Sequence, residues 1–175
     1  MRRVDVWRLR VGPRDDARAL VRSVLAGYLD VKPEALTFVH GPHGKPELQS
    51  AGPLRFNFTR SGPLGLLAVT HGRDVGVDME RVERRRALGP IADRLFEPDE
   101  AAELRSLPEG RRVRRFFELW TQKEAYAKAL GVGLSVPLDR LRPSRGWSLI
   151  DLPLGAEHVG TLCVRGRRAH VRLLP

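Results

Sequence analysis

Apolar and polar residues alternate at the start of the chain, where Val4, Val6, Leu9 and Val11 are separated mainly by charged side chains. This alternation predicts a β-strand over residues 2–11 with one face turned toward a core, because successive side chains of a strand point to opposite sides. The Gly-Pro pair that follows should end the strand.

A helical spacing of apolar residues comes next and reaches about Tyr28, with Asp15 or Asp16 available as the N-cap. We interpret the segment rich in glycine and proline at 41–48 as a loop. Further runs of apolar residues predict strands, at residues 37–40, 55–59, 64–70 and 75–80. The two halves of the chain are expected to meet at a turn at residues 71–74.

Helical spacing dominates the segment after these strands and predicts three helices, at residues 88–95, 98–104 and 108–130. Short strands return in the tail, most clearly at 160–164 and 169–173. Helices and strands in mixed order predict an α+β fold. We place an N-terminal lobe at residues 1–73 and a C-terminal lobe at residues 74–175.

The composition is that of a soluble globular protein, since 42% of the 175 residues are hydrophobic and 30% are charged. No apolar run approaches the roughly 18 residues that a membrane span requires. The first residues lack the apolar core of a signal peptide, so we expect a cytoplasmic protein. The single cysteine, Cys163, excludes an internal disulfide and a cysteine-based zinc site.

The charge balance changes the expected partners, because 31 basic residues against 21 acidic ones give a net charge of +10. Such a charge favours nucleic acid, phosphorylated small molecules, acidic proteins or membrane surfaces, and does not choose among them. Arginines are concentrated near residues 84–86, 111–115 and 165–168. The alternative for each run is a solvated arginine-rich surface.

Two acidic residues, Asp78 and Glu80, lie two positions apart in the predicted strand 75–80 and should share one face. Two carboxylates on one face repel each other unless a cation compensates. A hard cation such as Mg²⁺, which is held by one or two carboxylates plus phosphates and water, could do so. An exposed polar face paired with nearby arginines is the alternative.

The long helix carries a stripe of aromatic and charged residues at steps of three and four, namely Phe116, Trp120, Lys123, Glu124, Ala127 and Lys128. The aromatic residues indicate a buried face, and buried charges are rare unless they are paired or functional. The alternative is an amphipathic helix on which Glu124 and Lys128 form an i,i+4 pair.

Two further segments carry residue types that bind phosphate: the Gly44-Lys45-Pro46 loop and residues 56–61. The loop is not a Walker A motif, because its spacing is too short and no Ser or Thr follows Lys45. No nucleophile elbow or dinucleotide-binding fingerprint is present. His40 and His43 lack companions that would make a zinc site.

Taken in order, these segments resemble the Sfp-like 4′-phosphopantetheinyl transferases. That family has a Gly-Lys-Pro loop, a Phe-Asn-x-Ser-His-Ser segment, a Val/Ile-Gly-Val/Ile-Asp-x-Glu strand and a Phe-x-x-x-Trp-x-x-Lys-Glu-Ala-x-x-Lys helix that ends in glycine. The corresponding segments here are residues 44–46, 56–61, 75–80 and 116–131, and Phe96-x-x-x-Glu100 matches a further segment.

The resemblance implies two similar α+β lobes related by a pseudo-twofold axis, with coenzyme A in the cleft between them. It implies a monomer that transfers the 4′-phosphopantetheine arm of coenzyme A to a serine of an acidic apo acyl or peptidyl carrier protein and releases 3′,5′-ADP. Neither nucleic acid nor a membrane is then expected as a partner. The alternatives are a non-catalytic nucleic-acid-binding protein, or another Mg²⁺-dependent enzyme that acts on a diphosphate.

The resemblance also implies roles for individual residues. Asp78, Glu80 and Glu124 would hold Mg²⁺, or Mn²⁺ in its place. Glu124 is the first candidate for the general base and Glu100 the second, and Lys128 would contact the diphosphate.

Coenzyme A would be contacted by Lys45 and Pro46 near the adenosine and by Thr59 and Arg60 near the phosphates. The basic residues with which the family contacts the 3′-phosphate have no clear match here, and the candidates are Arg14, Arg18 and Arg22. One departure stands out, because Thr59 and Arg60 replace the Ser-His pair of the family. Arginine keeps a phosphate contact but cannot exchange a proton at neutral pH.

Overall fold

A computed structural model describes residues 3–49, 52–83 and 88–175. Its strands are β1 (Arg3–Arg10), β2 (Phe38–His40), β3 (Pro46–Leu48), β4 (Leu54–Ser61), β5 (Leu64–His71), β6 (Val75–Arg81), β7 (Trp147–Asp151), β8 (His158–Arg165) and β9 (His170–Leu174). Its α-helices are α1 (Ala17–Leu29), α2 (Leu88–Leu95), α3 (Pro98–Ser106) and α4 (Glu109–Leu130). The arginine run at 84–86 and residues 1–2 lie outside the described residues.

The larger sheet has four strands in the order β4-β5-β1-β9. The middle strand β1 pairs with β5 in antiparallel orientation and with β9 in parallel orientation. Val4 and Val6 of β1 are fully buried, as their alternation predicted. The division into residues 1–73 and 74–175 stays a prediction. The pairing of β9 with β1 places a strand from near the end of the chain in the same sheet as the first strand.

A second, three-stranded antiparallel sheet has the order β6-β8-β7, and α4 packs across it. Gly76 of β6 explains how closely the helix approaches. A Cβ atom at this position would lie 2.1 Å from the carbonyl oxygen of Ala125 and 2.4 Å from the backbone nitrogen of Ala129. The glycine and the two alanines therefore let the backbones of β6 and α4 come into direct contact.

Strands β4 and β6, one from each sheet, lie side by side and are joined by side chains of β4. Asn57 Oδ1 accepts a hydrogen bond of 2.8 Å from the Val77 N–H, and Ser61 Oγ accepts one of 3.1 Å from the Arg81 N–H. Asn57 is itself buried. This side-by-side arrangement brings residues of the N-terminal sheet next to α4.

The α+β prediction is confirmed, and so are the main helices and strands within a few residues. The helix α1 begins after Asp16, whose side chain accepts a hydrogen bond from the Arg18 N–H, as the N-cap prediction required. The loop prediction for 41–48 is wrong in part, because residues 46–48 form β3 and pair with β2 as a two-stranded ribbon. Among the described residues, no helix combines the length and the apolar character that crossing a membrane needs.

Candidate active site

Three side chains from three elements meet at the junction of the two sheets: Thr59 of β4, Asp78 of β6 and Lys128 of α4. Lys128 Nζ donates to Asp78 Oδ1 at 2.6 Å and to Thr59 Oγ1 at 3.2 Å. The Thr59 hydroxyl in turn donates to Asp78 Oδ1 at 3.0 Å. Asp78 is only 4% exposed, so its carboxylate depends on these partners for stabilisation.

The second carboxylate oxygen of Asp78 is the unusual atom of this cluster. Asp78 Oδ2 is buried and accepts no hydrogen bond from any described residue. Buried polar atoms in folded proteins nearly always have a partner, so an exception calls for an explanation. A role as a ligand for a hard cation is an explanation that fits the chemistry of a carboxylate oxygen.

Glu124 lies on α4, one turn before Lys128, and interacts electrostatically with the same cluster. Burial raises the pKa of the Glu124 carboxyl, the negative charge of Asp78 raises it further, and the positive charge of Lys128 opposes both effects. Two carboxylates that each disfavour the charge of the other are stabilised by a shared cation. Lys128 therefore pairs with Asp78 in this structure rather than serving only as an i,i+4 partner of Glu124.

The orientation of β6 agrees with the prediction from its alternating pattern. Gly76 lies on the α4 side, and Asp78 and Glu80, two and four residues further on, share that face. Val77 and Met79 point the other way and are fully or almost fully buried in the core.

A divalent cation can be tested against these residues. Among the described residues, no group of three or more His, Cys, Asp or Glu side chains is arranged to hold a metal ion, so the structure does not bring Asp78, Glu80 and Glu124 together as a three-carboxylate site. Mg²⁺ does not require one, because it is usually held by one or two carboxylates together with phosphates and water. The unpartnered Asp78 Oδ2 and the half-buried Glu124 carboxylate fit that pattern.

Lys45 lies near the other end of β6 and makes backbone contacts. Its Nζ donates to the carbonyl oxygens of Val75, at 3.1 Å, and Ala129, at 3.3 Å. Burial is the main cause of its lowered pKa. Lys45 thus joins the ribbon β2–β3 to both β6 and the last turn of α4. It also lines a cavity of about 230 Å³ together with Pro46.

A larger cavity, of about 440 Å³, lies between α1 and the strands β2 and β4. Its walls are mainly apolar, and they are formed by Ala17, Arg18, Val21, Arg22, Phe38, His40, Pro46, Phe56 and Phe58. The Arg22 guanidinium lies 4.8 Å from the centre of the Phe38 ring and donates to the carbonyl oxygens of Pro33 and Leu36. Arg18 is exposed at the wall of this cavity, whereas Arg14 is exposed in the loop before α1.

Arg60 follows Thr59 in β4, and its side chain therefore points to the opposite face of the strand. It is exposed, and its Nε donates to the Gly62 carbonyl oxygen at 2.7 Å in the turn between β4 and β5. The structure thus brings Thr59 to Asp78 but leaves Arg60 outside that cluster.

Glu100 belongs to a second group of charges, where α3 begins against α4. Glu100 Oε2 accepts a hydrogen bond of 2.9 Å from the Glu97 N–H and lies 3.0 Å from Lys123 Nζ. Arg142 closes the group by pairing with Glu97. The roles of Glu97 and Arg142 in this group were not predicted from the sequence. A signal for Glu97 was present, because a glutamate three residues after it, with Pro98 between, is the pattern of a helix N-terminal capping box.

Comparison with known proteins points to one family. Residues 74–171 match the family model of the 4′-phosphopantetheinyl transferase superfamily, and this range includes Asp78, Glu124 and Lys128. The chain is 36% identical over 163 residues to the 4′-phosphopantetheinyl transferase HetI of Nostoc, an alignment that covers 85% of this chain and 69% of that protein.

Alignments with two further relatives cover a smaller part of the length of those proteins. A putative 4′-phosphopantetheinyl transferase of Synechocystis is 37% identical over 139 residues, covering 75% of this chain and 56% of that protein. A 4′-phosphopantetheinyl transferase of Bacillus subtilis is 32% identical over 142 residues, covering 79% and 62%. The chain therefore spans between about half and two thirds of the length of these relatives.

Proposed function

This chain belongs to the 4′-phosphopantetheinyl transferase superfamily, and we propose that it transfers the 4′-phosphopantetheine arm of coenzyme A to a serine of an apo carrier protein. The observation that carries the proposal is the meeting of Thr59, Asp78 and Lys128, with Glu124 coupled to them, at the junction of the two sheets. A buried carboxylate with a free oxygen, a lysine and a second carboxylate are the groups that transfer from a diphosphate requires.

In the proposed reaction the serine Oγ attacks the β-phosphorus of coenzyme A. A new P–O bond forms to the serine, and the bond between the β-phosphorus and the oxygen bridging to the α-phosphate breaks. That bridging oxygen keeps the electron pair and leaves as part of 3′,5′-ADP. The serine proton passes to the Glu124 carboxylate, which is the first candidate for the general base.

In the proposal Asp78, Glu80 and Glu124 would hold Mg²⁺, or Mn²⁺ in its place, and the three carboxylates would have to move together around the ion, since the structure does not gather them into one site. Asp78 Oδ2 is available for it, and Glu80 lies on the same face of β6. A bound divalent ion would neutralise charge on the diphosphate and favour the ionised form of Glu124.

Lys128 would add to the charge stabilisation that a divalent ion provides. Its Nζ already lies at the junction of β4, β6 and α4, where it contacts Thr59 and Asp78. With a diphosphate bound, the ammonium group would stabilise the charge that develops on the leaving oxygen. Thr59, which is buried beside it, would donate its hydroxyl to a phosphate oxygen.

Coenzyme A would extend from this cluster toward α1. The cavity between α1, β2 and β4 has aromatic walls that suit an adenine ring, with Arg18 and Arg22 present for the 3′-phosphate. Lys45 and Pro46 would lie near the adenosine, while Arg60 and Arg14 are exposed basic groups that could reach phosphates. The 3′-phosphate alone carries about −1.5 to −2 charges, which the net charge of +10 would attract.

The proposed architecture has two similar lobes, residues 1–73 and 74–175, related by a pseudo-twofold axis with coenzyme A between them. It is supported by the contact of β4 with β6, since Thr59 comes from one lobe and Asp78 from the other. We propose a monomer whose basic surface meets an acidic carrier protein.

The test is direct transfer. The protein is mixed with coenzyme A, Mg²⁺ and a panel of apo acyl and peptidyl carrier proteins, and the intact mass of each carrier is measured. One carrier should gain the mass of a single phosphopantetheine, and the gain should disappear in the presence of EDTA. A panel that stays entirely in the apo form, with folded protein and Mg²⁺ present, would contradict the proposal.

A further inference from the structure

Lys123 is one of the most buried charged residues of the described chain, since it is only 3% exposed. Its Nζ lies 3.0 Å from Glu100 Oε2 and 3.6 Å from Glu97 Oε1, and it donates to the Leu141 carbonyl oxygen at 3.3 Å. A single ammonium group therefore connects α4 to the start of α3 and to the segment that follows residue 140.

The surroundings of Lys123 are acidic and enclosed. Glu97 Oε1 is buried, accepts no hydrogen bond from the described residues and lies 3.6 Å from Lys123 Nζ, while Oε2 of the same carboxylate pairs with Arg142. A cavity of about 270 Å³ lies beside the pair and is lined by Glu97, Glu100, Lys123 and Arg142 among others. Buried ion pairs are costly to form and contribute little to stability, so their presence can indicate a requirement for one defined arrangement.

The position of Lys123 on α4 connects this pair to the candidate active site. Lys123 immediately precedes Glu124, and successive residues of an α-helix are rotated by about 100° around its axis. Lys123 points to α3, whereas Glu124 and Lys128 lie toward Asp78. Any rotation of α4 that released Lys123 would also move the Glu124 carboxylate.

A second contact restrains the same helix on its other side. The backbone at Ala125 and Ala129 packs directly on Gly76 of β6. That contact and the hydrogen bond between the Thr121 and Thr161 hydroxyls set the position of α4 on the sheet. The Lys123 pair with Glu97 and Glu100 supplies a directional, charged contact that restricts rotation.

We propose that Lys123 is a positioning residue that holds Glu124 toward Asp78, and that Glu97 and Glu100 act through it. The proposal rests on the proposed function, because it concerns the same site. In this proposal Glu100 helps to position Lys123, and it does not act as the general base for which it was the second candidate. The Glu100 carboxylate is already committed to Lys123 and to the Glu97 N–H.

The test compares Lys123→Met with the unaltered protein, using two readouts at a temperature well below the melting temperature of each. One is carrier modification, and the other is Mn²⁺ binding to the protein alone, followed by electron paramagnetic resonance. Groups that orient metal ligands typically change metal affinity or activity by roughly 10–100-fold when they are replaced. We expect kcat to fall about 10-fold or more and the Kd for Mn²⁺ to rise about 10-fold, with KM for coenzyme A within about threefold.

Two variants serve as controls. Arg115→Met removes another ion pair between α4 and α3, the one between Arg115 and Glu103. Arg115 lies on α4 about two turns before Lys123. It should leave kcat and the Kd for Mn²⁺ within about twofold. Lys123→Arg keeps the charge, has the neighbouring cavity to accommodate its larger head group, and should recover most of both quantities.

A double variant separates positioning from folding and from base catalysis. Lys123→Met leaves Glu100 without its cation, so Lys123→Met/Glu100→Gln relieves that charge and should fold if the single variant does not. Because the two residues act as one unit, the double variant should lose no more activity than Lys123→Met.

The proposal is overturned if folded Lys123→Met, or the double variant, keeps both kcat and the Kd for Mn²⁺ within twofold. It is also overturned if Glu100→Gln abolishes turnover while Lys123→Met does not, since Glu100 would then act directly. Failure of the unaltered protein to modify any carrier would count against the proposed function instead, and the Mn²⁺ titrations would still decide the role of Lys123.

Discussion

Lys128 Nζ lies 2.6 Å from Asp78 Oδ1, in an ion pair that joins the last turn of α4 to the middle of β6. The lysine side chain is 30% exposed and the aspartate side chain 6%. One oxygen of Asp78 is thus neutralised by the lysine and by Thr59, while Oδ2 is left without a hydrogen bond from the described residues. Lys128 therefore supplies positive charge that offsets the Asp78 carboxylate.

Replacement of Lys128 by methionine is expected to have opposite effects on catalysis and on metal binding. The rate should fall about 100-fold or more, because a charged group that stabilises a leaving oxygen is typically worth about 10²–10³ in kcat. The Kd for Mn²⁺ of the free protein should decrease, because the competing cation at Asp78 is gone. Mass spectrometry of the carrier and electron paramagnetic resonance of Mn²⁺ measure the two effects, with Lys128→Arg as the control that keeps the charge.

Asp78→Asn keeps the size of the side chain but removes the negative charge at the centre of the cluster. Transfer should decrease by at least about 10²-fold, since the site loses both its cation ligand and the partner of Lys128. Circular dichroism should still show a folded protein. Turnover close to that of the unaltered protein in excess Mg²⁺ would exclude the assignment of Asp78 to the metal.

Glu124→Gln should change the pH dependence of stability in the metal-free protein. The pKa of Glu124 is raised in the folded state, so the folded protein binds its proton more tightly than the unfolded chain does. Stability is then lost as the pH rises from the unfolded pKa through the folded one, and the ionised carboxylate is destabilising at pH 7. In EDTA, the glutamine variant should melt at a higher temperature than the unaltered protein at pH 7, and this advantage should shrink at pH 4. An equal difference in melting temperature at both pH values would contradict a raised pKa of Glu124 in the folded state.

Arg60→His restores the residue that the family motif has at this position. Arg60 is exposed and bonded to the Gly62 carbonyl oxygen, away from Asp78, so the change should alter kcat by less than about threefold if the position serves only a phosphate contact. KM for coenzyme A should rise modestly, because histidine is a weaker phosphate partner at neutral pH. Steady-state kinetics at pH 6 and pH 8 measure both quantities, and a large loss of kcat at both would show a role specific to arginine.

Gly76→Ala should destabilise the protein through backbone contact alone. The added Cβ would lie 2.1 Å from the Ala125 carbonyl oxygen, and overpacking of this kind costs about 3 kcal/mol or more. Gly27→Ala is the matched control, because Gly27 lies in α1 and a Cβ added there would meet no packed neighbour within 4 Å. It should be neutral or stabilise by about 0.5–1 kcal/mol. Thermal melting of the two variants measures the contrast.

Local patterns in the sequence predicted the elements of the fold well, but not how they meet. The alternation in β6 correctly placed Asp78 on the face opposite Met79, and the helical stripe correctly indicated that Lys123 is buried. The short strand β3 was missed, because it contains a proline and its turn-rich surroundings indicate a loop. Only its pairing with β2 makes it a strand.

The sequence by itself determined which residue types are available for the proposed chemistry and which face of each element carries them, because side-chain periodicity is a local property of the backbone. Only the tertiary structure decided that Thr59, Asp78 and Lys128 touch, since the pairs are 19, 50 and 69 positions apart. The same holds for the pairing of Lys123 with Glu97 and Glu100. Contacts between distant positions depend on how whole sheets and helices pack, and periodicity shows that a face is buried without showing what lies against it.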